Sequence, residues 1–299
     1  MSDNLQSVIY ILTIIVLLLL FRKAKEGEPY LLIKLFGYTF LGAFMLELGE
    51  LKLPLGFVIF LLFFQKSQVN VEVKHTAASI GLVLFLLGVF VPHVERMIFE
   101  RTHHIDLLEN NFYDGSLVEE YEHLKAEFDM NRAYTELRGF DMTIDQDGNY
   151  ENLSFGLTED THEGTINYTI DLADDRKTLE VSRYKLNEQE DYMDDYMFTD
   201  TELVFANLDL ITDSMLDFEG DRFYQLTTDG QRVNYGVNEN KTFQINTAGK
   251  FKVEDSQLPV NAIVVDACGS RELDEHRYPF KCRHDEQFLL DMLKAEKVE

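Results

Sequence analysis

DGNYENLSFGLTE (residues 147–159) and DGQRVNYGVNE (residues 229–239) lie about 80 residues apart and read alike. Each opens on an Asp-Gly pair, Asp147-Gly148 and Asp229-Gly230, the strongest short signal for a β-hairpin turn. Each then runs as alternating apolar and polar residues through an aromatic-glycine pair, Phe155-Gly156 in one and Tyr235-Gly236 in the other. The turn-to-aromatic spacing differs by two residues, which leaves every strand side chain on the same face. The pair therefore predicts an internal duplication in a β-rich fold.

Upstream of each turn lies a helix signal. Ser116-Leu-Val-Glu119 and Thr199-Asp-Thr-Glu202 both have the Ser/Thr-x-x-Glu spacing of a capping box, in which side chains at both ends satisfy free N–H groups of the first turn. Leu117, Tyr121, Leu124 and Phe128 follow the first, and Val204, Leu208, Ile211 and Met215 follow the second, at the intervals of one buried helix face. Further strands are predicted over 165–171 and 178–184, then over 242–246, 250–253 and 260–265. Each copy reads as one helix followed by antiparallel strands, an α+β module with its helix across the sheet. An acidic linker over 187–195 separates the copies, and an amphipathic helix is expected over 286–297.

The N-terminal third is different in kind. Apolar runs cover Val8–Phe21, Tyr30–Leu48, Leu53–Phe64 and Ala77–Val91, and the expectation is an α-helical anchor of four membrane spans. No basic n-region precedes the first run, so it does not read as a cleaved signal peptide. Arg22, Lys23 and Lys25 follow the first run, and Lys66 and Lys74 separate the third from the fourth, whereas the intervening loop has Lys52 alone. By the positive-inside rule the N-terminus and residues 95–299 should face outward. The fourth span is expected to continue as helix past His103 and His104 to Glu109. The predicted divisions are 1–94 for the spans, 95–190 and 191–273 for two modules, and 274–299 for a disulfide loop and terminal helix.

Charge follows the same division. Residues 1–93 hold seven Lys/Arg against six Asp/Glu, so the net charge of −26 lies almost wholly beyond them. Such a balance argues against a nucleic-acid ligand, because phosphate binding depends on Lys and Arg. Cys268 and Cys282 are the two cysteines of the chain, both in the predicted exterior part, and are expected to form a disulfide. The alternative, a metal site of Cys268, His276, Cys282 and His284, matches no standard zinc spacing. Asp145, Asp147 and Asn149 have some look of a calcium loop but lack the Gly and Glu positions of an EF-hand, so a plain turn is expected.

Helix, linker and duplicated turn together resemble the small exported modules of the cystatin-like and PepSY-like kinds that Gram-positive bacterial membrane proteins carry in tandem. The resemblance implies binding, inhibition or regulation at the cell surface. No nucleophile elbow, HExxH or phosphate loop occurs in the chain, and no cofactor or metal is expected. The reading is a non-enzymatic membrane protein whose exterior modules bind a protein or cell-wall partner and regulate or scaffold an envelope process. The alternative is a membrane sensor binding a small ligand or cation. The duplicated residues Asp147, Gly148, Phe155, Gly156, Asp229, Gly230, Tyr235 and Gly236 are the candidate motif.

Overall fold

The computed structural model describes residues 3–294 apart from 26, 50, 65–68, 131–134, 163, 187–198, 217, 219, 238–239 and 274–281. The linker expected over 187–195 and the His276 of the metal alternative lie outside the described residues. The chain forms two compact units, Met1–Phe99 and Glu100–Glu299.

The first unit holds helices α1 (Asp3–Lys23), α2 (Leu31–Ala43), α3 (Leu55–Ile59, continued by one wide π turn to Phe64) and α4 (Val71–Phe99), with a small hairpin of β1 (Leu46–Leu48) and β2 (Leu51–Leu53). The four-span expectation is overturned: among the described residues one helix, α4, is long and apolar enough to cross a membrane. The apolar part of α1 runs only from Ser7 to Phe21 between Gln6 and Arg22. The second run breaks after the 13 residues of α2 and turns into the β1–β2 hairpin. At ~1.5 Å per residue α2 is roughly 20 Å long, short of a ~30 Å hydrocarbon layer. The third run holds only Leu55–Phe64 as helix. Lys74, read from sequence as a loop charge, lies buried inside α4, with its ammonium 2.8 Å from Glu28, which also holds Lys34 at 2.7 Å.

Helices α2 and α4 cross backbone to backbone. A Cβ on Gly42 would stand 2.1 Å from the Ala78 carbonyl oxygen, and one on Gly81 2.1 Å from that of Thr39. Thr39 Oγ1 donates to the Ala77 carbonyl at 3.1 Å across the same crossing. Small residues permit this approach, and the buried hydroxyl finds its acceptor in the neighbouring helix.

The second unit does not contain two tandem modules. Its strands join into one mixed sheet of 11 strands, with α5 (Leu117–Phe128) and α6 (Thr201–Leu208) as its helices. In chain order the strands are β3 (His103–Asp106), β4 (Thr135–Asp145), β5 (Tyr150–Thr161), β6 (Gly164–Leu172), β7 (Thr178–Lys185), β8 (Phe223–Thr228), β9 (Arg232–Tyr235), β10 (Thr242–Asn246), β11 (Gly249–Lys252), β12 (Val260–Ser270) and β13 (His284–Lys294). Their order across the sheet is β11-β10-β13-β12-β8-β4-β5-β6-β7-β3, with β9 also on β12. The two halves fuse where β8 pairs antiparallel with β4 from Phe140↔Thr228 to Asp145↔Phe223.

Alternation decides which side of β4 to β7 meets the helices. Leu137, Phe140, Met142 and Ile144 of β4 are buried, as are Leu153, Phe155 and Leu157 of β5 and Tyr168 and Ile170 of β6. Phe205 of α6 is fully buried, its ring edge-on to Phe155 at 5.3 Å and to Phe140 and Tyr121 at 5.9 Å. One aromatic of the second half thus fills the core of the first, and burying such a side chain contributes about 1.5–3 kcal/mol.

Four local expectations change. The helical extension past Phe99 is absent: β3 takes His103 and His104 and pairs with β7, in keeping with β-branched Thr102 and Ile105 at that point. The cap of α6 is Asp200 rather than Thr199, its carboxylate accepting from the Glu202 and Leu203 amides, and α6 stops at Leu208 so that Met215 falls in a 3₁₀ turn. The terminal helix is a strand: β13 buries Phe288, Leu289 and Leu290 in succession, as suits a strand covered on both faces. The Asp229-Gly230 turn makes no hairpin either. Strands β8 and β9 follow one another along the same partner, Thr227↔Asp266 and then Arg232↔Ile263, so the pair is a two-residue bulge in one strand line.

Candidate functional site

The bulge at Gly230 opens a gap in the sheet. Gly230 has φ +74°, and a Cβ there would stand 2.4 Å from the Leu137 carbonyl oxygen, so a side chain is excluded on both counts. The Thr199 amide donates to the Gly230 carbonyl at 3.1 Å and the Leu137 amide to the Thr199 carbonyl at 3.4 Å. Thr199 and Asp200 thereby occupy the place beside β4 that β8 vacates, and α6 starts from there. A groove of about 630 Å³ lies over β4, β5, β8 and β12.

Two glycines form part of this groove. Gly139 of β4 pairs directly with Gly156 of β5, next to a bulge between Leu137 and Gly139. A Cβ on Gly139 would meet nothing within 4 Å, and one on Gly156 only ordinary contacts at 3.5 Å and beyond. Folding does not require glycine at either position for space. The backbone is left bare where a ligand could approach it.

The polar lining is held in order. Asp141 accepts from Gln225 Nε2 at 3.0–3.1 Å, across the β4–β8 seam. Asp266 accepts from Gln287 Nε2 at 3.0 Å, and Asp229 Oδ1 from the Gln231 amide at 3.1 Å. Ser154 Oγ donates to Asp171 at 2.6 Å. Arg138 Nε donates to Thr158 Oγ1 at 2.8 Å, which donates to Asn167 at 2.7 Å, whose amide donates to the Tyr184 hydroxyl at 3.2 Å. This chain of bonds crosses β4, β5, β6 and β7 and fixes the Arg138 side chain at the groove. The result is an ordered surface rich in hydrogen-bond acceptors, with one guanidinium. Among the described residues no histidine or cysteine lines it, and the lining hydroxyl bonded to a carboxylate is that of Ser154, on Asp171.

Of the sequence-derived motif, Phe155, Gly156 and Asp229 line the groove and Gly230 shapes it. Asp147 and Gly148 sit at the tip of the β4–β5 hairpin, far along the strands from Gly156. There Asp145 Oδ1 accepts from the Asp147 and Asn149 amides at 2.9 Å, and Asn111 Nδ2 donates to the Asp147 carbonyl at 2.8 Å. The supposed calcium carboxylate at Asp145 is thus taken up by the turn itself. Tyr235 and Gly236 lie elsewhere, where the Tyr235 hydroxyl donates to Gln287 at 2.6 Å beside a cluster of Val253, Val260, Ala262 and Leu289. Among the described residues, no group of three or more His, Cys, Asp or Glu is placed to hold a metal ion.

Arg138, Asp141, Ser154 and Asp266 were not singled out from the sequence. The signal was present in the polar positions that alternate with buried Leu137, Phe140 and Met142, but the β4 bulge hides it by shifting the period.

A second polar cluster joins β12 to β13. Cys268 and Cys282 form a disulfide with Cα atoms 5.4 Å apart. Beside it the side chain of Asp221, 0% exposed, lies 2.5 Å from His284 Nδ1 and 3.5 Å from Arg283. Gly269 opposite has no room for a Cβ, which would stand 2.4 Å from Asp221 Oδ2. His284, one of the two histidines of the metal alternative, is therefore partnered by a buried carboxylate.

No family model, no curated protein and no solved structure matches the chain.

Proposed function

We propose that the Glu100–Glu299 unit is a non-enzymatic binding module, held at a membrane by the N-terminal unit, that engages a partner protein at the grooved face of its sheet and regulates or scaffolds an envelope process. The observation that carries this reading is the groove over β4, β5, β8 and β12. Its backbone floor is bare at Gly139 and Gly156, and its side chains are preorganised by bonds to neighbouring residues outside the groove, which lowers the ordering cost of binding. The acceptor-rich lining favours a partner segment that brings donors, such as Lys or Arg side chains. The Cys268–Cys282 disulfide supports a location on the oxidising side of the membrane, and α4 is the helix suited to the crossing.

Photocrosslinking residues placed at Thr169 and Thr227 of the groove, and at the exposed Glu122 of α5 as control, test the reading in intact cells. One discrete adduct from the groove positions, absent from the control and lost when Gly156→Val fills the floor, is expected. Identical adduct patterns from all three positions would refute it, as would substrate turnover by the purified full chain that disappears on replacing Asp141 or Asp266.

A further inference from the structure

Helix α5 carries a carboxylate that the fold treats unusually. Glu120 is 5% exposed, and its Oε2 accepts from the Leu108 amide at 2.9 Å. Its Oε1 is buried and has no hydrogen-bond partner among the described residues. His123 Nδ1, also buried and unpartnered, stands 3.7 Å away, beyond hydrogen-bond reach. Asn110 Oδ1 in the adjoining loop is likewise buried without a partner. Buried polar atoms are nearly always satisfied, so Glu120 Oε1 and His123 Nδ1, unpaired and 3.7 Å apart, call for a reason.

The loop is the segment through which the chain passes from β3 to α5. Its Leu107 amide donates to the Lys177 carbonyl at 2.8 Å and its Asn110 carbonyl accepts from the Tyr150 amide at 3.4 Å. Glu120 is the side chain of α5 that ties this loop to the helix. His123 on α5 is the titratable group that acts on Glu120, and Tyr150 at the start of β5 feels Glu120 together with Glu109 of the loop and Asp209 at the end of α6. Burial and the charges of Asp209, Glu120 and Glu109 hold the Tyr150 phenol protonated far above its ordinary range, so it adds no charge near neutrality.

We propose that Glu120, His123 and the Leu108 amide form a proton-sensitive joint between the segment entering the unit and helix α5. Ionised Glu120 gives the Leu108 amide a charge-assisted acceptor, and protonation replaces it with a weaker neutral one. Burial pushes the Glu120 carboxyl up from the ordinary glutamate value, against the smaller opposing effects of the Leu108 amide and of His123. The folded state therefore keeps this proton to higher pH than the unfolded chain does. The resulting stabilisation is complete below the unfolded pKa and is lost as pH rises through the raised folded one. The joint is independent of the groove.

Hydrogen exchange of the 103–112 segment, measured on the full chain across pH 4–8 and corrected for intrinsic rates, tests the proposal. Protection of the Leu108 amide against a local opening that breaks its bond while Glu120 stays buried should fall on acidification by on the order of fivefold, the difference between charged and neutral acceptors and opposite in sign to the effect on global stability. Glu120→Gln should flatten this transition, whereas His123→Asn should move its midpoint upward by removing a cation that favours the carboxylate. His103 and His104 lie in the same segment, the latter 3.8 Å from Glu180, and His104→Gln should leave the transition in place. Superimposable profiles for the wild type and Glu120→Gln would overturn the proposal, as would an unmoved midpoint in His123→Asn.

Discussion

Asp209, the residue that ends α6, caps the start of α5: its carboxylate accepts from Ser116 Oγ at 2.7 Å and from the Leu117 amide at 2.8 Å. A helix N-terminus favours an acidic acceptor both for its free N–H groups and for its dipole. One side chain thus ties the end of α6 to the start of α5, and the two halves of the sheet should unfold together.

Asp209→Ala is expected to cost about 1–2 kcal/mol. For a unit of this size that lowers Tm by roughly 2–8 °C. Calorimetry of the full chain should show the Glu100–Glu299 unit shifting as one transition. Separate shifts for a first-half and a second-half transition would indicate two independent modules.

Glycine replacements should divide by position. Gly230→Ala meets a φ of +74° and the Leu137 carbonyl, and is expected to destabilise by more than ~1 kcal/mol. Gly139→Ala enters open space and should leave Tm within about 1 °C. Parallel thermal melts check the contrast.

In the N-terminal unit, Gly81→Val should disrupt the α2–α4 crossing, since even a Cβ would stand 2.1 Å from the Thr39 carbonyl oxygen. Faster proteolysis of residues 31–99 in detergent, with Glu100–Glu299 intact, is the expected pattern. Equal resistance in variant and wild type would mean the crossing tolerates a side chain.

Reducing the disulfide, or replacing both cysteines with Ala, removes a closure that spans 14 positions of sequence. The chain-entropy account puts its contribution at ~3 kcal/mol. Denaturant titration with and without reductant measures it. Asp221→Ala should cost about 1–3 kcal/mol, since it removes the hydrogen bonds to a charged group while the half-exposed His284 and Arg283 are left to water.

Much of the architecture was legible where a local signal coincided with its tertiary use. Ser116 caps α5 as its spacing predicts, and the strands read over 165–171, 178–184 and 242–246 lie within β6, β7 and β10. The errors come from contacts distant in sequence. Phe288, Leu289, Met292 and Leu293 fit one helix face while Phe288 to Leu290 fit a strand interior, and only the neighbours β10 and β12 decide between them. Asp229-Gly230 has hairpin chemistry, but β12 is long enough to pair with both flanking strands and straightens the turn into a bulge. The N-terminal runs are apolar enough for spans, yet hydropathy does not register that α2 stops at Ala43. At the groove, the motif pointed to Gly156 and Asp229 and missed Arg138 and Asp141, whose face depends on the β4 bulge.

Strand β13 is inserted between β10, which it joins in parallel, and β12, which it joins antiparallel. Until residues 284–294 have been made and delivered, β10 and β11 have no seat on the rest of the sheet and β12 exposes an unsatisfied edge. Assembly of this half is therefore a late, long-range event. Such edges invite wrong pairing while they wait. A stalled or truncated product would then display an open strand for quality-control proteases to find.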